Sequence, residues 1–146
     1  MSTARALRAL ARDSHFRAAL AAGPLCWLAL GLVGLPLADG RPATATLLYG
    51  VVIAPLLEEI VFRGALQGRL LGVPALARRR SGLSGANALA SLAFAAAHLW
   101  SQPPLWAAAV FVPSLVFGHL YERHASILPA FATHAFYNAG FIVLFA

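Results

Sequence analysis

Five apolar stretches, each near the ~20 residues a helix needs to cross a bilayer, divide this chain of 146 residues. They cover residues 18–38, 46–71, 86–100, 105–121 and 126–146. Between them lie Asp39-Gly40-Arg41-Pro42, a polar loop holding Arg78, Arg79 and Arg80, the break Ser101-Gln102-Pro103-Pro104, and the turn Glu122-Arg123-His124. The pattern predicts an all-α integral membrane protein of about five transmembrane helices, with 1–146 as a single membrane domain. A chain that is 60% hydrophobic and 11% charged does not have a soluble globular balance.

The formal net charge of +6 comes from arginine alone, as the chain has no lysine. With five spans, Arg5, Arg8, Arg12, Arg17, Arg78, Arg79, Arg80 and Arg123 share one side and Arg41 lies on the other. The positive-inside rule then puts the N-terminus in the cytoplasm and the C-terminus outside. The expected location is a bacterial inner (plasma) membrane. Basic residues clustered at span ends orient a membrane protein, which argues against nucleic acid as a partner. Residues 1–17 form an Arg-rich segment with Arg5, Arg8 and Arg12 on one helical face. It reads equally as an interfacial helix on anionic lipid or as a solvated tail. The first apolar stretch is long for a signal-peptide core and reads as an uncleaved span. Cys26 is the only cysteine, which excludes an intramolecular disulfide.

Glu58 and Glu59 stand inside the second apolar stretch, in a chain with five acidic residues. A charge at membrane depth costs about 2.5–3.5 kcal/mol on the insertion scale, so such residues are rare and functional by default. Arg63 follows Glu59 at the spacing where helical side chains meet, and a structural pair is one reading of those two. Other spans carry His98, His134 and Asn138. At ~1.5 Å per helical residue, Glu58, His98 and Asn138 rise about 18–20 Å from the inner boundary and His134 about 12 Å. They can share one layer only if the second helix continues past Arg63 to about Leu71. Adjacent helical residues point about 100° apart, so Glu58 faces such a site while Glu59 turns to Arg63. A desolvated carboxylate can act as general base toward water, and an imidazole can hold that water. A second imidazole and a carboxamide can donate to an oxyanion. Gly64, Gly68 and Gly72, like Ala88, Ser91 and Ala95, predict close helix packing. His119 and His124 read as solvated residues at a membrane edge, and His15 as part of the tail.

The set Glu58-Glu59-x-x-x-Arg63, Phe94-x-x-x-His98 and His134-x-x-x-Asn138, with Ala54-Pro55 and Phe62-Arg63-Gly64, resembles the CAAX protease and bacteriocin-processing family, also called CPBP or Abi. The likeness covers about Val51 to Gly140, with a catalytic core over 46–140. It implies an intramembrane endopeptidase of glutamate type. Glu58 and His98 would activate water, His134 and Asn138 would form the oxyanion site, and Glu59 and Arg63 would support the first motif. The substrate would be a membrane-associated protein or peptide, with a lipidated or sorting C-terminal tail among the options. No cofactor is expected; zinc on Glu58, His98 and His134 is the less favoured alternative, since there is no HExxH motif. Where relatives often carry Thr-Gly before the last motif, this chain has Arg123-His124-Ala125-Ser126.

Two other readings compete. Gly82-Leu83-Ser84-Gly85 matches the short GxSG of rhomboid serine proteases, with Ser84 as nucleophile and His134 as base, but it leaves the acidic pair unexplained. A non-catalytic binding or immunity protein could use the same scaffold. A small transporter is disfavoured by the lack of inverted repeats.

Overall fold

The structure, a computed structural model, describes residues 3–146, so the first two residues of the expected 1–17 segment lie outside it. Helix α1 (Thr3–Arg12) exposes Arg5, Arg8 and Arg12. The Asp13 carboxylate accepts the Phe16 N–H at 3.0 Å and starts α2 (Ser14–Leu32). Gly34, at φ 88°, lets the chain fold back so that Gly34 N–H reaches Gly31 O and Leu35 N–H reaches Leu30 O. This left-handed cap ends α2 six residues before the expected end of the first span.

Helix α3 (Thr44–Leu71) does continue past Arg63. It is followed by α4 (Pro74–Ala77) and a hairpin of β1 (Arg79–Arg80) and β2 (Leu83–Ser84). Ser81 and Gly82 turn that hairpin with φ of 52° and 87°, as a two-residue turn of this twist demands. Then come α5 (Gly85–His98), α6 (Pro104–Ala109), α7 (Phe111–His124) and α8 (Ile127–Phe145).

The chain is an all-α integral membrane protein. Among the described residues four stretches are long and apolar enough to cross a membrane: Ser14–Leu32, Thr44–Leu71, Pro104–His124 and Ile127–Phe145. The expected fifth, α5, has 14 residues. That is about 21 Å of helix, short of the ~30 Å hydrocarbon core. Leu99 and Trp100 lengthened the apolar stretch in sequence but lie beyond the helix end, where Ser101 and Gln102 N–H groups bond His98 O ahead of the two prolines. Trp100 is 97% exposed.

The chain forms two compact units, Leu57–Ala130 and a second made of residues up to Leu56 with Phe131–Ala146. The first is built inside out relative to a soluble protein. Ile60, Val61, Leu89 and Leu92 face outward, while Glu59, Arg63, Gln67, Ser91 and Ser114 are fully buried. Its side-chain contacts fix the register. Asn87 Nδ2 donates to Leu115 O, and Ser84 Oγ to Glu122, so α5 and α7 are antiparallel. Arg63 reaches Ser114 and Gln67 reaches Gly118, so the C-terminal half of α3 runs parallel to α7. A Cβ at Gly118 would collide with the Asn87 amide, which makes this glycine the point of closest approach. The expected role of Gly64 is not seen: it is exposed, and a Cβ there would make only ordinary contact with Ile127 at 3.9 Å. His119 and His124 are half-buried.

In the second unit, Tyr137 Oη donates to Ala19 O at 2.6 Å, and Trp27 packs on Phe136 at 5.1 Å between ring centroids. Gly140 accommodates the Trp27 indole, which a Cβ would strike. Helix α7 ends at Ala125, whose φ of 48° and ψ of 39° are left-handed. A glycine takes that conformation without the steric cost an alanine bears.

Candidate active site

The C-terminal half of α3 presents one polar stripe, Glu59, Arg63 and Gln67, each 0% exposed. In a regular α-helix every fourth residue drifts about 40° around the axis. Residues Ile60–Gln67 adopt the wider i→i+5 winding, which shifts that drift.

Arg63 is the hub. Its Nε donates to Glu59 Oε2 at 3.1 Å and its Nη1 to Gln67 Oε1 at 3.3 Å. Its Nη2 donates to Ser114 Oγ at 2.6 Å, and a longer contact of 3.5 Å reaches Ser91 Oγ. A guanidinium has five N–H donors and cannot shed its proton, so burial demands this many acceptors. The network continues outward. Gln67 Nε2 donates to Gly118 O at 3.1 Å and Glu122 Oε1 at 2.8 Å. Glu122 also accepts from Ser84 and forms an ion pair with Arg79 at 3.1 Å.

Arg63 also sits over the Phe94 ring, 5.6 Å from its centroid. That ring meets Phe62 edge-on at 5.1 Å and the His98 ring at 4.5 Å. His98 Nδ1 lies 2.9 Å from Phe94 O. A carbonyl oxygen only accepts, so Nδ1 carries the proton, and in the neutral ring Nε2 keeps its lone pair. Phe62 and Phe94 mark where α3 and α5 meet as antiparallel helices. One turn back along α3 stands Glu58, and one turn on along α5 stands His98, so the register puts the two at the same level. Glu58 and His98 are half-buried, in contrast to Glu59.

His134 and Asn138 belong to the other unit. His134 is 5% exposed on α8. Asn138 Nδ2 donates to Gly50 O at 2.9 Å, and its amide nitrogen carries a second N–H. Among the described residues no three His, Cys, Asp or Glu side chains are grouped as a metal ion would need.

Ser84, the nucleophile of the rhomboid reading, is a helix cap. Its Oγ accepts the Asn87 N–H at 2.9 Å at the start of α5 and donates to Glu122. With the hydroxyl so engaged and 2% of the residue exposed, the serine holds a helix end in place. Ser84→Ala should lower stability by about 1 kcal/mol, the usual worth of such a cap. Thermal melts in detergent would measure this, and peptide cleavage should persist; a dead but folded variant would restore the serine mechanism.

Reasoning from sequence missed Gln67, Ser114 and Glu122 as members of this cluster, and took Ser91 for a small packing residue. The available signal was Gln67, four residues after Arg63 on the same face.

Comparison with known families matches residues 40–140 to the type II CAAX prenyl endopeptidase Rce1-like family. The chain belongs to that family. The match takes in Glu58, Glu59 and Glu122, Arg63, His98, His119, His124 and His134, and Asn138. No curated protein and no solved structure matches the chain. At the level of this family the protein is an intramembrane peptide hydrolase of CAAX type.

Proposed function

We propose that this protein is a glutamate-type intramembrane endopeptidase that cuts a membrane-associated peptide with a lipidated C-terminal tail. Glu58 takes a proton from water as the water oxygen attacks the scissile carbonyl carbon. His98 Nε2 holds and polarises that water. His134 and Asn138 donate to the oxyanion that develops. The C–N bond then breaks, and the proton on Glu58 passes to the leaving amine.

The observation that carries this reading is the seating of His98. Its Nδ1 is committed to Phe94 O at 2.9 Å, which leaves Nε2 to face a water, one helical turn beyond the Phe62–Phe94 contact. The side chain of Asn138 supports the oxyanion assignment, since one amide N–H satisfies Gly50 O and another remains to donate. The family's prenyl endopeptidase description supports the substrate class.

The test is cleavage of a farnesylated CAAX peptide by the purified protein in liposomes, read as release of the C-terminal fragment. Cleavage is expected, and EDTA or phenanthroline should leave the rate unchanged. No cleavage of lipidated peptides by folded protein would overturn the reading. Loss with chelator, restored by zinc, would instead make Glu58, His98 and His134 metal ligands.

A further inference from the structure

Ser114 lies outside every motif that carries the family resemblance, yet it makes the shortest bond to Arg63. Three observations bear on it. First, the Ser114 hydroxyl is fully buried and 2.6 Å from Arg63 Nη2. Second, the other good acceptors of Arg63, Glu59 and Gln67, lie on the arginine's own helix, and the Ser91 contact is long at 3.5 Å. Bonds along one helix leave the guanidinium free to swing sideways about that line, and the bond to α7 stops the swing. Third, the guanidinium covers the Phe94 ring, on which the His98 ring rests. Phe94 therefore serves His98 twice, with its ring as a seat and its carbonyl as the acceptor of Nδ1–H.

We propose that Ser114 is a positioning residue for His98, acting through Arg63 and Phe94. It touches neither water nor substrate. Its hydroxyl fixes the plane of the guanidinium, the guanidinium holds the Phe94 ring, and the ring holds the imidazole at the angle that aims Nε2. The inference rests on the proposed role of His98 in catalysis, and its test separates the two.

Threonine and valine at position 114 have nearly the same shape, and only threonine keeps the hydroxyl. Alanine removes the hydroxyl without adding volume, which covers the case where the added methyl disturbs packing. Two readouts apply to Ser114→Thr, Ser114→Val and Ser114→Ala in the full chain. One is kcat and KM on the farnesylated peptide. Ser114→Thr should stay within about threefold of the parent, and Ser114→Val and Ser114→Ala should lose about 10- to 100-fold in kcat with KM unchanged, in the range that follows misplacement of a catalytic group. The other is the 15N signal of the His98 ring, assigned by its loss in His98→Ala. It should move in the valine and alanine variants and stay put in the threonine variant. Equal kcat and an unmoved His98 signal in all three would overturn the proposal, as would a loss confined to KM. If the parent protein cleaves nothing, the proposed function fails, and the His98 signal alone still decides the role of Ser114.

Discussion

Glu58→Gln should lower kcat/KM for a lipidated peptide by about a thousandfold, within the range that general base catalysis supplies. That is about 4 kcal/mol of transition-state stabilisation. Glutamine keeps the length of the side chain and an oxygen that can accept a hydrogen bond, but it cannot take a proton from water at neutral pH. Its cost to the fold should be slight, because Glu58 is half-buried while the fully buried charge pair is Glu59 with Arg63. His98→Ala should fall in the same range, since it removes the ring that Phe94 seats. Single-turnover assays on purified protein, with matched thermal melts, would check both. A Glu58→Gln protein that cleaves at the parent rate would end the glutamate mechanism.

The second large effect concerns stability. Arg63→Met should destabilise the fold by about 3–5 kcal/mol, because it removes the ion-pair partner of the fully buried Glu59. The double variant Arg63→Met with Glu59→Gln removes both charges, and most of that loss should return. Denaturation in detergent, run as a double-mutant cycle, would measure the coupling. If the double variant is as unstable as Arg63→Met alone, the loss comes from the arginine's other contacts, to Gln67 and Ser114, and not from its ion pair with Glu59.

Much of the fold was legible because a bilayer imposes a simple rule on length and polarity. The spans ending near Leu71 and Phe145 follow from it, as does the continuation of α3 past Arg63. The short helix α5 was misjudged because Leu99 and Trp100 are apolar without being helical. Hydropathy cannot tell a lipid-facing residue inside a helix from one beyond its end. In the site, the Glu59–Arg63 pair follows from a four-residue spacing on one helix. The bond from Arg63 to Ser114 spans 51 positions of sequence, and no local pattern announces it. A serine in an apolar helix looks like any small packing residue. Glu122 was taken for part of a turn between spans, but it lies in the last turn of α7, where three donors converge on its carboxylate. Counting donors would have helped: five N–H groups on a buried arginine call for more acceptors than one glutamate provides.

The distance between Arg63 and Ser114 along the chain also has a meaning in time. At synthesis rates of about 5–20 residues per second, 51 positions correspond to about 3–10 s. For that interval α3 exists without the helix that completes its polar core. Glu59 and Gln67 are made within four residues of Arg63 and can cover it as soon as the helix winds. The acidic neighbour of the proposed catalytic glutamate thus acts first as an escort, letting a charged helix wait at the membrane until α7 arrives.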